Sequence, residues 1–289
     1  METLFTQNTH IKMNTMFLIT ASNKDIASLT IKNQLLNYYQ FTETPELFQQ
    51  NPMYWINLMG KKIVLVTLNK ELVDAQNLPE NFPYAKLIIF ISRHSSQSGK
   101  PTLSVHTPGN FAEAGLGGLP RIISVSPATA MREALIALQQ QKKRFVLDYE
   151  VSYECTHHGP SLNKPAMFVE LGSSEPQWYD QKAAQAVAHA AMSAITHFHE
   201  TASSALLGIG GPHYNQKFTQ MALSGEAIFS HMIPKYAVST INSAMLSQCR
   251  EKTLENVPSA VLDWKGIKSE DKPKLLEALR DAELSFEKV

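Results

Sequence analysis

Ala166-Met167-Phe168-Val169-Glu170-Leu171 is an apolar run interrupted only by Glu170, and it ends at Ser173-Ser174-Glu175-Pro176. An alanine-rich stretch, Tyr179–His199, follows, and then a second apolar run, Ala205–Ile209. The two short runs read as β-strands and the long stretch between them as a helix. The same alternation continues outward. Met16–Thr20, Ile63–Leu68, Leu87–Ile91 and Arg121–Val125 have strand patterning; Asp25–Tyr39, Pro127–Lys142 and Gln216–His231 have helical patterning. Strands alternating with helices predict an α/β layered fold with a mixed, mostly parallel sheet flanked by helices. Ser126-Pro127 offers an N-cap followed by Pro at the first helical position, and Pro176 breaks the strand before the alanine-rich helix. The sequence shows no repeat and no Gly/Ser/Pro linker. It therefore reads as one α/β domain over residues 16–289, with a lobe boundary near 140–150 the one division considered, preceded by a polar extension over residues 1–15.

Composition narrows the function. The 289-residue chain is 44% hydrophobic, enough for a substantial core. Lys plus Arg (26) equals Asp plus Glu (26), so the chain lacks the positive charge of a protein that coats nucleic acid, although local docking of an RNA end is still allowed. Lys61-Lys62 and Lys142-Lys143-Arg144 are the basic clusters available for that, against the plainer reading of solvated faces. Cys155 and Cys249 have no CxxC spacing, which argues against a disulfide framework or a cysteine-built zinc site and suits a reducing, cytoplasmic setting. No apolar run approaches the roughly 18 residues of a membrane span.

The chemistry-bearing residues are histidines set among Gly and Pro. Glu154-Cys155-Thr156-His157-His158-Gly159-Pro160 is answered by Gly208-Ile209-Gly210-Gly211-Pro212-His213-Tyr214, and His94 and His106 sit in Ser92-Arg93-His94-Ser95 and Ser104-Val105-His106-Thr107-Pro108-Gly109-Asn110. Loops after strands converge at the carboxyl edge of such a sheet, so these histidines can share one rim. Three of them with a carboxylate, Glu154 or Glu170, would form an open zinc site. Without a metal, one histidine would act as general base, oriented by Glu170 or Asp148. The spacing matches no regular motif such as HExxH, and each histidine has a plain alternative in a hydrogen bond to a backbone carbonyl. Pro108-Gly109-Asn110 also suits a hairpin without function. Gly115-Leu116-Gly117-Gly118 lacks phosphate-loop spacing and reads as a flexible loop over the site. His189, His197 and His199 lie on the alanine-rich helix and are set aside as packing or surface residues.

These motifs, together with Ser22-Asn23-Lys24-Asp25-Ile26-Ala27-Ser28, Ser124-Val125-Ser126-Pro127, Glu170-Leu171-Gly172-Ser173-Ser174-Glu175 and Trp178, occur in an order that resembles the D-aminoacyl-tRNA deacylases of the archaeal and plant type. The resemblance runs from residue 16 to about residue 265. It implies hydrolysis of the ester between a D-amino acid and the 3′ end of tRNA, a phosphorylase/hydrolase-like α/β fold, and zinc as cofactor. The matching positions are His94, His106, His157, His158, Glu170 and His213. The chain departs from the pattern in its N-terminal extension and in Pro212, where a glycine is expected; the proline removes one N–H donor.

From chemistry and resemblance together, Thr156, His157, His158, His213 and Glu170 are expected to act on the ester. His94, His106, His157, His158 and Glu154 are expected to hold metal, and Gly210, Gly211, Tyr214 and Arg93 to contact the substrate. The partner is the acceptor end of D-aminoacyl-tRNA, with the protein a monomer or a dimer. The rival expectation is a phosphorylase-like or other metal-assisted hydrolase acting on a small nucleoside.

Overall fold

Continuous apolar runs form the central strands of the computed structural model, which describes residues 15–199 and 204–289; of the expected extension only Thr15 falls within them. In chain order, β1 (Met16–Ser22), α1 (Ile26–Tyr38), β2 (Thr42–Phe48), β3 (Asn51–Leu58) and β4 (Lys61–Leu68) lead to a short α2 (Leu78–Asn81). β5 (Ala85–Ser95), β6 (Thr102–His106), α3 (Ala128–Phe145), β7 (Glu150–Tyr153) and β8 (Ala166–Ser173) complete the large sheet. Then come α4 (Glu175–Trp178), α5 (Gln181–Thr196), β9 (Ser204–Ile209), α6 (Gln216–Ser224), β10 (Phe229–Ile233), α7 (Ser243–Glu251), β11 (Asn256–Leu262), α8 (Lys272–Asp281) and β12 (Ser285–Lys288). The eight-stranded sheet has the order β2-β3-β4-β1-β5-β8-β6-β7, and a four-stranded sheet has the order β10-β9-β11-β12. The second is parallel throughout; the first is parallel except where β3 meets β2 and β4 and where β6 meets β8. This is the mixed, mostly parallel sheet flanked by helices that the sequence predicts. No helix among the described residues is long and apolar enough to cross a membrane.

Helices α1, α3 and α5 cover one face of the large sheet. Seven buried alanines of α5, from Ala183 to Ala194, let it lie close to the sheet and to α3. Asp25 caps α1 by accepting from Ser28 N, and Asp180 caps α5 by accepting from Lys182 N and Ala183 N. Lys61 Nζ donates to the carbonyls of Ile195, Thr196 and Phe198 at 2.7–2.8 Å, so this lysine closes the carboxyl end of α5 and is not a free phosphate contact. Lys142, Lys143 and Arg144 occupy the last turn of α3, the favourable place for cations on a helix.

Three expectations about elements change. Arg121–Val125 is not a strand: between Pro120 and Pro127 it makes only the isolated bridges Gly109–Ile123 and Val125–Pro165, and Ile123 N donates to the side chain of Gln248. The helix expected over Gln216–His231 stops at Ser224, where Gly225 adopts φ +88°, and Phe229–Ile233 becomes β10. α3 is not capped by Ser126. Its first amides, Ala128 N and Thr129 N, donate to the Glu255 carboxylate at 3.0 and 2.7 Å, while Ser126 Oγ accepts from Thr107.

Candidate active site

The register of the large sheet brings the first site residues together. Ser92 on β5 and Ser104 on β6 both pair with Glu170 on β8, His94 pairs with Gly172, and His106 pairs with Phe168. Glu170 therefore lies between the two histidines. A side chain on Gly172 would meet His94 O at 2.4 Å, so glycine allows β5 and β8 to close at this point. Ser92 Oγ donates to Glu170 Oε1 at 2.8 Å. Glu170 Oε2 is 3.4 Å from His94 Nδ1, and Oε1 is 3.4 Å from His106 Nε2.

The segment after β7 carries the rest, stitched to both sheets. Glu154 N donates to Val105 O, Cys155 N to His213 O, and Thr156 N to Met232 O. His158 is held at φ +41°, an uncommon conformation for a residue with a side chain. The imidazoles of His106, His157, His158 and His213 then follow one another with ring centres 4.2–4.4 Å apart at the His106–His157, His157–His158 and His157–His213 contacts. Glu154, His94, His157, His158, Glu170, His213, Tyr214 and Arg93 line one cavity of about 620 Å³, with Asp25, Ser92, Leu72, Val73, Leu116 and Phe168. His106 lies behind it, fully buried and stacked on Phe168.

Hydrogen bonds fix which ring nitrogens are free. A carbonyl can only accept, so His157 Nδ1–H donates to Cys155 O (2.9 Å) and His158 Nδ1–H donates to Gly159 O (2.7 Å). Each therefore presents a bare Nε2. His157 Nε2 is 3.6 Å from Glu154 Oε2, which also accepts from His213 Nε2 at 2.9 Å. Burial, with His158 adding to it, holds His157 well below the ordinary imidazole range, and burial holds His158 down at about 4. Burial would lower His94 as well, but Glu154 and then Glu170 outweigh it and push His94 up to about 11. Burial would raise the two carboxyls; instead His94 and His213 hold Glu154 far below its usual value, and His106 and His94 hold Glu170 at about 2.

This arrangement suits a divalent cation. Both nitrogens of His106 and Oε1 of Glu154 are buried without an aligned hydrogen-bond partner. A lone pair on His157 faces an ionised carboxylate. A cation among His106, His157 and His158 would satisfy one His106 nitrogen and the His157 lone pair, and one among Glu154, His157 and His213 would satisfy the carboxylate. Three overlapping groups have ligand atoms within 4.8 Å of one another: His106, His157 and His158; Glu154, His157 and His213; His94, Glu154 and Glu170. Glu170 pushes the His106 pKa up against burial, so a metal taking this nitrogen must displace a proton.

Other expected residues lie elsewhere. Thr156 is buried outside the cavity lining: Met232 N donates to its Oγ1 (3.3 Å), which sits 3.2 Å from His231 Nδ1. His231 Nε2–H donates to Lys252 O (2.9 Å), so Nδ1 accepts from the threonine hydroxyl. Gly210 and Gly211 are also outside the lining. Gly210 N donates to Ile233 O, and side chains at the two positions would strike Ile267, Asp263 and Asn215. The two glycines expected to contact the substrate are thus packed against neighbouring chain. Asp148 is exposed just before the start of β7, at the other end of that strand from the site, and Cys155 and Cys249 are buried free thiols. The glycine loop expected to be flexible is packed: Gly159 N donates to Leu116 O. Sequence reasoning missed His231, hidden inside an overlong helix, and Tyr236, whose hydroxyl is 3.1 Å from His213 Nδ1.

Comparison with known proteins places the chain in a family. The D-aminoacyl-tRNA deacylase family model matches residues 81–287. A D-aminoacyl-tRNA deacylase of Thermococcus onnurineus is 35% identical over 261 residues, covering 88% of this chain and 93% of the relative. One of Methanocaldococcus jannaschii is 32% identical over 285 residues, covering 94% and 99%. A crystal structure described as a conserved protein of unknown function superposes with a TM-score of 0.83 at 29% identity, covering 94% of this chain and 95% of that one. The chain belongs to the D-aminoacyl-tRNA deacylase family.

Proposed function

We propose that this protein hydrolyses the ester between a D-amino acid and the 3′ end of tRNA at the histidine–glutamate cavity, where tRNA is found in the cytoplasm, with zinc as the resident ion. The observation that carries the reading is the convergence of three imidazoles: His157 and His158, each with an uncommitted Nε2 lone pair, and His106, which would join them by giving up a proton. Zinc accepts three imidazoles and keeps a position for water, whose pKa it lowers to about 7.

The remaining groups divide the proton work. Glu154 lines the cavity and is the carboxylate assigned the proton leaving the attacking water; its Oε1 lies 3.2 Å from His94 Nδ1. Glu154 Oε2 is meanwhile held by His213. His94, protonated, donates from Nδ1 toward the two carboxylates and from Nε2 to Tyr214 Oη at 3.0 Å. This occupies both nitrogens, so His94 serves as a charged support rather than a ligand. It also leaves the Tyr214 O–H to donate into the cavity, toward an oxyanion. Glu170, held by Ser92, His94 and His106, orients the histidines. Arg93, paired with Glu71 at 3.1 Å, stands at the same cavity for a substrate phosphate or carboxylate.

Replacing His157 and His158 together by Ala should abolish D-tyrosyl-tRNA hydrolysis while the protein remains folded. Phosphate-dependent cleavage of nucleosides, with D-tyrosyl-tRNA left intact by the unsubstituted protein, would replace this reading with a nucleoside-processing one.

A further inference from the structure

Beside the histidines and carboxylates, the cavity is lined by the apolar residues Leu72, Val73, Leu116 and Phe168, the last in contact with His158. Leu116 is 58% exposed at that rim. A surface leucine is ordinarily free to move, but the backbone beneath this one is locked. Gly159 N donates to Leu116 O at 2.9 Å. A Cβ on Gly117 would lie 2.3 Å from Val73 O, and one on Gly159 would lie 2.2 Å from Gly118 N. Gly117 and Gly118 adopt φ of +67° and +76°, so no larger residue substitutes easily. Three strands of backbone, at 73, at 116–118 and at 159, therefore interlock beside His158.

Keeping a large apolar side chain in water on a fixed backbone contributes little to folding; the benefit arises when a ligand covers it. In an aminoacyl ester the side chain branches one atom away from the reacting carbonyl. A wall that receives it must start next to the groups acting on that carbonyl, as the His158–Gly159–Leu116 connection does. Resting on the deacylase reading above, we propose that Val73 and Leu116 form the subsite for the amino-acid side chain, and that it favours large apolar or aromatic side chains over small ones.

The test compares kcat/KM for D-tyrosyl-tRNA and D-alanyl-tRNA in the zinc-loaded protein. Leu116→Ala should lower the tyrosyl-to-alanyl ratio about tenfold, in the range expected for loss of a few carbons from one side of a pocket. Val73→Ala should shift it the same way, and Leu116→Met, of similar volume, should restore it to within about twofold. An unchanged ratio in both alanine variants, or equal slowing of both esters, overturns the subsite while leaving the deacylase standing. Hydrolysis of neither ester by the unsubstituted protein overturns the deacylase reading and the subsite with it.

Discussion

Thr156 Oγ1 and His231 Nδ1 lie 3.2 Å apart in the buried seam between the two sheets, on residues 75 positions apart in the chain. The direction of this hydrogen bond is set by the Lys252 carbonyl, which takes the other nitrogen's proton. Thr156 therefore holds the segment bearing His157 and His158 against β10, and its hydroxyl is not free for substrate. Thr156→Val should leave Met232 N and His231 Nδ1 short of a partner and cost roughly 1–3 kcal/mol in denaturant unfolding. Turnover of the folded fraction should fall less than tenfold. A fall of more than about a thousandfold with stability intact would return Thr156 to the chemistry.

Burial lowers the pKa of His231 to about 4, against about 6.5 in an unfolded chain. Above pH 6.5 both states carry a neutral ring and its stabilisation is complete. Between 6.5 and 4 the unfolded chain binds more protons, so stability falls as pH falls, by up to about 3 kcal/mol from this residue. The depressed carboxyls Glu154 and Glu170 lose their contribution only below about pH 4.5, outside most of that window. In metal-free protein the depressed His157 and His158 act in the same direction and the raised His94 and His106 in the opposite one, so the reading is the difference between proteins: His231→Gln should raise the urea midpoint at pH 5 relative to that at pH 7, compared with the unsubstituted protein. A parallel profile in the variant would show that another group is responsible.

Tyr214→Phe removes the hydroxyl proposed to face the oxyanion and keeps the ring that packs edge-on against His94 and His213. Its kcat should drop about 10²-fold to 10³-fold with KM nearly constant. A rise in KM alone would make the hydroxyl a binding contact instead.

Glu154→Gln keeps the shape of the residue but withdraws the proposed proton acceptor and one of the two charges that raise His94. The expected loss is about 10²-fold to 10⁴-fold in kcat. Bound zinc, measured by atomic absorption, should persist through His106, His157 and His158. Loss of zinc together with activity would make Glu154 a ligand first and a base second.

The sheets were legible where a buried strand is a continuous apolar run, as in Leu87–Ile91 and Met167–Leu171, and not where polar residues interrupt it, as in β6 and β10. β2 and β3 escaped notice: half-exposed, they turn at Gln49 and Gln50, whose positive φ values of +53° and +65° no Gly or Asn announced. The cap of α3 was equally invisible, since Glu255 reaches it from 127 residues away. Within the site, loop histidines flanked by Gly and Pro marked the cavity, and His94, His157, His158 and His213 do line it. What residue order could not convey is orientation. The strand register that places Glu170 between His94 and His106, and the close backbone contacts that spend Gly210 and Gly211 on packing, are properties of the folded chain.

The most direct test is the release of tyrosine from matched D- and L-tyrosyl-tRNA by protein stripped with a chelator and then reloaded with zinc. The account predicts rapid hydrolysis of the D-ester alone, absent after stripping and recovered on reloading. Hydrolysis that ignores the chelator, or that treats the two enantiomers alike, would contradict it.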